Sequence, residues 1–373
     1  MFFNEDKKSL RAIYIMNSIQ GFGFSLIGIF LPIYFLTLGY SLTQVFIFFI
    51  IQYLVVVLAS FAAVYFANHF GLEKTIFFRF PFLFLFLILL LLLEKTSVPL
   101  ALIALIGGIQ TSLYFTPLHI LFANNVEIGK MGESLGKYFA LSKLSGIIGP
   151  IIGGVIAYFF GFKLLFFLAI IIFLLSVGPY LNVKQTKTKF SLRIFDVIKL
   201  YKKYPKYFWA EVIDNIGEEA DGIIWPIFIF LFVGSVVSVG AVGTLVGLGS
   251  FIFTFFIGQS TDKYNKKNIL KWSAIFFTLI WLFRFFINNE FLFYVSTLLA
   301  GFTMTMFIIP FTALIYNTAK ENNKNKVEEF IVFREIPVAI GRIIIFSLAL
   351  LFVSNIKLLF PIAGLSYLYF LFF

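Results

Sequence analysis

Residues 210–226, AEVIDNIGEEADGIIWP, hold five acids in a chain that is otherwise oily: Glu211, Asp214, Glu218, Glu219 and Asp221. At about 100° per residue, Glu211, Asp214, Glu218 and Asp221 fall within an arc of roughly 80° and make one acidic stripe on a helix, with Glu219 off it. Tyr207 to Ala210 before the stretch and Ile223 to Val233 after it are apolar. The acids are therefore expected to lie inside a membrane span.

The rest of the chain supplies the lipid-facing context. Of its 373 residues 61% are hydrophobic and 13% charged, with 55 Phe, and the mean hydropathy is +0.99. A water-soluble domain could not hide so much apolar surface. Long apolar runs such as Ile76 to Leu93 and Leu164 to Leu181 are long enough to cross about 30 Å of hydrocarbon as helices. The fold class expected is an all-α polytopic membrane protein. Without Cys, and with His69 and His119 as the only histidines, neither a disulfide framework nor a metal site is expected. No GxxxxGK[ST] run occurs, so neither ATP nor any other cofactor is expected, and the class is not an enzyme.

Gly, Pro and charge punctuation gives twelve spans. They are Leu10 to Leu38, Leu42 to Ala67, Thr75 to Leu93, Pro99 to Ala123, Leu135 to Phe160 and Phe162 to Val183, then Tyr207 to Val233, Val236 to Thr261, Leu270 to Ile287, Phe291 to Asn317, Glu329 to Val353 and Ile356 to Phe373. Most basic residues fall on the face shared with the termini, while the opposite loops offer little beyond Lys95, Lys163 and Lys357. The positive-inside rule then makes both termini cytoplasmic in a multi-pass protein of the plasma membrane. It also accounts for the net charge of +11 without nucleic acid as a partner. Residues 184–206 split the chain into bundles 1–183 and 207–373. Within this linker Phe190, Ile194, Val197, Ile198 and Tyr201 share one helical face and Arg193, Asp196, Lys199 and Lys203 the other, which predicts an amphipathic helix lying on the cytoplasmic leaflet.

The halves repeat. Adding 194 to the numbers of Gly23, Gly28, Pro32, Ser41 and Asn68 gives Gly217, Gly222, Pro226, Ser235 and Asp262. Such a duplication is the expected trace of a transporter built from repeats, with its site at the midplane between them.

Twelve spans, a six-plus-six duplication and a basic central loop resemble the major facilitator superfamily (MFS) fold, and two motifs carry the resemblance. GQSTDKYNKK, residues 258–267, resembles the family's loop signature, which implies a cytoplasmic gating role for Asp262, Lys263, Lys266 and Lys267. In the first copy, VYFANHFGLEK at 64–74, only Gly71 and Lys74 keep the pattern; Asn68 stands where the family has Asp and Val64 where it has Gly. SGIIGPIIGG, residues 145–154, resembles the fifth-span signature of family exporters. Its Ser145, Gly149 and Gly153 recur every four residues and its Gly154 adds a further small side, a smooth ridge for close helix packing, with Pro150 allowing a bend. The fourth span lacks the Arg that proton-coupled drug exporters of the family carry, and Gln110 is its only strongly polar residue at depth.

In that family the first, fourth, seventh and tenth helices line the central cavity, so the resemblance puts the acidic stripe on a transport path. Burying each acid in hydrocarbon costs about 2.5–3.5 kcal/mol. By depth, Arg342 is expected near Glu218 and Asp221, and Arg334, beside Glu335, near Glu211 and Asp214; Lys143 is the corresponding cation of the fifth span. Asp214, Glu218 and Asp221 are the candidates for binding a coupling proton or a cationic substrate group, with Arg342 competing for them. Asn17 and Gln20, the repeat partners of Glu211 and Asp214, are candidate hydrogen-bonders of substrate. Glu211 is expected near the interface and solvated, Glu219 expendable, His119 a helix-end residue, and Arg284 free to snorkel outward. The reading is a monomeric secondary active transporter in a bacterial inner membrane, taking a small-molecule substrate by alternating access, with proton antiport and efflux. The alternatives are an importer or facilitator of a sugar-like or organic-ion solute, and a sensor or scaffold that moves nothing.

Overall fold

Helices begin and end where the sequence punctuates. In a computed structural model, which describes residues 3–125, 131–178, 194–322 and 327–373, the order is α1 Phe3–Ile27, a 3-10 turn Gly28–Phe30, α2 Leu31–Thr37, α3 Leu42–Phe70, α4 Leu72–Leu92, α5 Leu100–Asn125 and α6 Met131–Val177. The second half has α7 Ile194–Lys203, α8 Pro205–Glu219, a π-turn Ala220–Ile224, α9 Trp225–Val233, α10 Val236–Lys263, α11 Lys266–Phe286, α12 Glu290–Asn322, α13 Val327–Leu351 and α14 Leu359–Ser366. α6 is two rods, because Gly161 at φ 82° turns the backbone in a conformation that suits glycine.

The repeat is visible in how helices start. Ser41 caps α3 by accepting from the Gln44 backbone N–H at 3.3 Å, and Gln44 returns the bond. Ser235, 194 residues on, caps α10 by accepting from Ser238 N–H at 3.4 Å. The leading helix of each half also breaks at the same place, at Gly28–Phe30 and at Ala220–Ile224, just before Pro32 and Pro226, whose rings remove a backbone donor.

Among the described residues, eight helices are long and apolar enough to cross a membrane. One of these eight is Gly146–Val177, which holds both rods of α6. The helical stretches 205–233 and 327–351 are long but carry the buried acids and arginines, and Ile356–Leu371 is short. The outer surface is apolar: Leu58, Phe159, Phe286 and Phe291 stand exposed, which suits lipid as solvent.

The halves meet along two seams. α3 packs on α13, and α6 on α10. In the first seam Phe346 stacks on Phe49, centroids 5.0 Å apart, and flanks Phe46 and Tyr53. In the second the small residues let backbones touch: a Cβ on Gly240 would stand 2.6 Å from the Pro150 carbonyl, and one on Gly154 3.2 Å from that of Val236. Both contacts lie toward the end away from the termini.

α7 departs from expectation. Its Val197 and Leu200 are buried, and the Tyr201 ring lies 4.8 Å from Phe333 and 5.3 Å from Phe208. Of the apolar face that was expected to enter lipid, Val197 is buried and Tyr201 covers the start of α13 and α8, while Ile198 stays exposed. Residues 184–193 of the linker, and so Phe190 and Arg193, lie outside the described residues.

Candidate functional site

The acids of α8 are held against α13. The two helices approach closely because residue 341 is glycine; a Cβ there would stand 2.2 Å from the Val212 carbonyl. Arg334 Nε then donates to Glu211 Oε1 at 2.5 Å. Arg342 donates to Asn215 Oδ1 at 2.9 Å and to Glu218 Oε2 at 2.7 Å, and its Nε lies 3.1 Å from Glu219 Oε1. From the other half, Tyr53 of α3 donates to Glu219 at 2.7 Å, and its ring lies 4.9 Å from the Arg342 guanidinium. Tyr367 donates to Asp214 Oδ1 at 3.2 Å; Gly217 makes room for it, since a Cβ there would meet the Tyr367 ring at 2.3 Å.

Five sequence expectations are corrected. Asp221 leaves the stripe: the π-turn at 220–224 inserts an extra residue per turn and swings it away from Glu218. It pairs instead with Arg284 of α11. Arg284 does not snorkel; it is fully buried, between Trp225 and Trp281 at 4.1 and 4.5 Å. Glu211 is not solvated but buried on Arg334. Glu219, expected to be off the functional face, is the acid that reaches the opposite half. His119 is more than a helix end, since its Nδ1 lies 2.7 Å from the Tyr316 hydroxyl of α12 and bridges the halves.

The first half contains a cation that sequence reasoning passed over. Arg79 sits in the run Ile76 to Leu93, one charge among many apolar residues, and that isolation was the signal that could have found it. It is buried, with Nη1 donating to Gln20 Oε1 at 2.6 Å and Nε to Gln110 Oε1 at 2.9 Å. Its guanidinium lies 4.0 Å from the Tyr114 ring and 4.8 Å from that of Phe24, while the Tyr114 hydroxyl donates to Asn17 Oδ1. Gln20 and Gln110 thus hold Arg79, and Asn17 holds the Tyr114 ring that covers it.

Two cavities lie between the halves. One, of about 260 Å³, is lined by Asp214, Glu218, Arg334, Glu335 and Arg342 with Tyr53 and His119. The other, of about 500 Å³, is lined by Asn17, Phe24 and Tyr114 from one half and Asp214, Glu218 and Ser250 from the other. They share Asp214, Glu218, Phe115 and Ile308. Asp214 and Glu335 form no ion pair among the described residues, so two acids face the cavity without a cation of their own.

Of the remaining expected site residues, Lys263, Lys267 and Lys74 are exposed near the end bearing the termini, Lys266 is half-buried, and Lys267 Nζ donates to the Phe373 carbonyl at 3.1 Å. Gly71 has φ 95° and ends α3. The side chains of Lys143, Ser145 and Asp262 lie outside the described residues. The small-residue ridge serves two neighbours: a Cβ on Gly149 would meet Ser25 and one on Gly153 the Leu26 carbonyl, while Pro150 and Gly154 face α10.

The sequence profile of the Major Facilitator Superfamily matches residues 13–232. The uncharacterized protein YqgE of Bacillus subtilis (strain 168) is 24% identical over 276 residues, covering 71% of this chain and 64% of that protein, so the chain spans less than two thirds of that relative's length. The crystal structure of the human organic anion transporter MFSD10 (TETRAN) superposes with a TM-score of 0.69, covering 98% of each chain at 11% identity. At that identity the likeness is one of fold.

Proposed function

Because the chain belongs to the major facilitator superfamily, we propose that it is a twelve-span secondary transporter that moves a small organic solute by alternating access between bundles 1–183 and 207–373. The observation that carries this reading is the pair of joined cavities between the halves, with Asp214 and Glu218 common to both. A charged wall of this kind has no packing purpose in a membrane protein, where each buried ionisable group costs free energy.

Coupling follows from the same wall. Asp214, Glu218 and Glu335 face the cavity, and Arg342 is shared between Glu218 and Glu219. A proton, or the cationic group of a solute, taken up at Glu218 removes the acceptor from Arg342 and leaves it to Glu219 and Asn215. The exchange connects site occupancy to the α3–α13 seam through Tyr53. Proton-coupled export from a bacterial inner membrane, by a monomer with both termini cytoplasmic and no catalytic role, is the form supported by the fifth-span motif and the basic loops. Asp262, Lys263, Lys266 and Lys267 are proposed as its cytoplasmic gate.

The test is uptake into proteoliposomes of a mixed solute panel with an imposed pH gradient. Accumulation that collapses with the gradient is expected, and in Glu218→Gln the pH dependence should flatten. Gradient-driven accumulation by Glu218→Gln with the wild-type pH profile would remove Glu218 from the coupling path. Transport indifferent to the gradient would assign a facilitator.

A further inference from the structure

The charge inventory of the buried arginines is uneven. Arg284, Arg334 and Arg342 each meet a carboxylate: Asp221, Glu211 and the Glu218–Glu219 pair. Arg79 is as deeply buried as Arg284, yet among the described residues it meets amide oxygens, the Tyr114 hydroxyl and rings, and no carboxylate. Gln20 Oε1 accepts from Arg79, which fixes the amide's orientation and leaves Gln20 Nε2 a buried donor with no acceptor. A cation and an amide donor thus lie together with no anion. Removing a charge from water without a counter-charge is costly, and a carboxylate meets a guanidinium fork in two parallel bonds.

Two rings, Tyr114 and Phe24, separate this cluster from the larger cavity. Tyr114 covers the guanidinium and also lines that cavity with Asn17 and Phe24, opposite Asp214 and Glu218. A turn of Tyr114 away from Asn17 would open the way. The acids on the facing wall repel an anion, so the field across the cavity directs one toward Arg79.

We propose that Arg79, with Gln20 and Gln110, seats an anionic group of the transported solute, such as a carboxylate, behind Tyr114. The proposal rests on the reading of the cavity as a solute path and adds the solute's chemical class to it.

Acetate, benzoate and naphthoate, each with its matched amide at constant ionic strength, are titrated against the thermal unfolding of the purified protein in detergent; the midpoint's dependence on concentration gives the affinity. At least one carboxylate is expected to bind about 10-fold or more tightly than its amide, with the preference abolished in Arg79→Gln and reduced in Arg79→Lys, which keeps the charge but loses the fork. If Arg79→Gln does not fold, Arg79→Lys carries the test. Equal binding of every acid and amide, or a preference unchanged by the Arg79 variant that folds, overturns the proposal. Failure of the coupling reading appears separately, as transport indifferent to the pH gradient.

Discussion

Arg284 and Asp221 illustrate what one residue can cost. Both side chains are buried, and the guanidinium is packed between two indoles, so neither charge has water to fall back on. Losing one partner leaves the other uncompensated. Asp221→Asn is expected to destabilise the protein by about 3–5 kcal/mol, read as a lower unfolding midpoint in detergent. The double change Asp221→Leu with Arg284→Met should recover most of that loss, since apolar groups of similar size can replace a buried pair. A double variant no more stable than Asp221→Asn would show that the pair holds the leading helix of the second half by more than charge. This pair was also the least legible in the sequence. Helical arithmetic gives a residue's depth and azimuth, and it put Asp221 level with Arg342. It gives no account of which neighbour stands at that azimuth, and it assumes 3.6 residues in every turn. Arg334 with Glu211, and Arg342 with Glu218, were legible because both stretches stay α-helical, α13 even through Pro337.

At the scale of elements, α7 is a strap across the base of α13, with Tyr201 on Phe333, next to Arg334. Its amphipathic pattern was plain in the sequence, but a pattern of one apolar face specifies only that the face is covered. Protein covers part of it here, with Val197 and Leu200 buried and Tyr201 among Phe208 and Phe333, and Ile198 left exposed. Val197→Glu is expected to cost about 2–4 kcal/mol by burying an unpaired acid and to raise protease cleavage in residues 184–206. If α7 instead lay on lipid, the variant would leave the unfolding midpoint of the detergent-solubilised protein unchanged. The helix breaks were partly legible: Gly28 with Pro32 and Gly222 with Pro226 marked both positions, whereas the choice of a 3-10 turn in one half and a π-turn in the other depends on what packs around them.

For the molecule as a whole, the α3–α13 and α6–α10 seams lie toward the far end, and the smaller cavity lies on the side toward the termini. Cavity-lining residues come from the later parts of α5 and α12 and the earlier part of α13, which run to or from that end. The chain has no cysteine, so the α6–α10 seam can be locked with a single introduced pair. A Cβ on Gly154 would stand 3.3 Å from the Val237 Cα, which puts the two Cα atoms less than about 5 Å apart, under the ~7 Å beyond which no disulfide forms. Oxidised Gly154→Cys/Val237→Cys is expected to lose transport and regain it on reduction; transport undiminished in the cross-linked protein would mean that this seam does not open. The offset of 194 residues was legible and recurs in the Ser41 and Ser235 caps and in the breaks before Pro32 and Pro226, but the level at which α6 and α10 touch was not, because small residues run along both, from Gly146 to Gly154 and from Gly240 to Gly247.

The Tyr53–Glu219 hydrogen bond is one of only a few polar ties between the halves among the described residues, beside His119–Tyr316 and the Thr244 hydroxyl on the Ile147 carbonyl. A bond to a charged group contributes about 1.5–3 kcal/mol, and each 1.4 kcal/mol is a factor of ten in a population. Removing this one hydroxyl should therefore multiply the fraction of molecules open at the far end by roughly 10–150. Tyr53→Phe is expected to show that change as faster labelling of a cysteine placed at Phe346 by a bulky thiol reagent. A rate equal to that of the same cysteine in the Tyr53 background would mean that the hydroxyl does not set the resting distribution. On this account one oxygen atom shifts the conformer ratio of a 373-residue protein by one to two orders of magnitude.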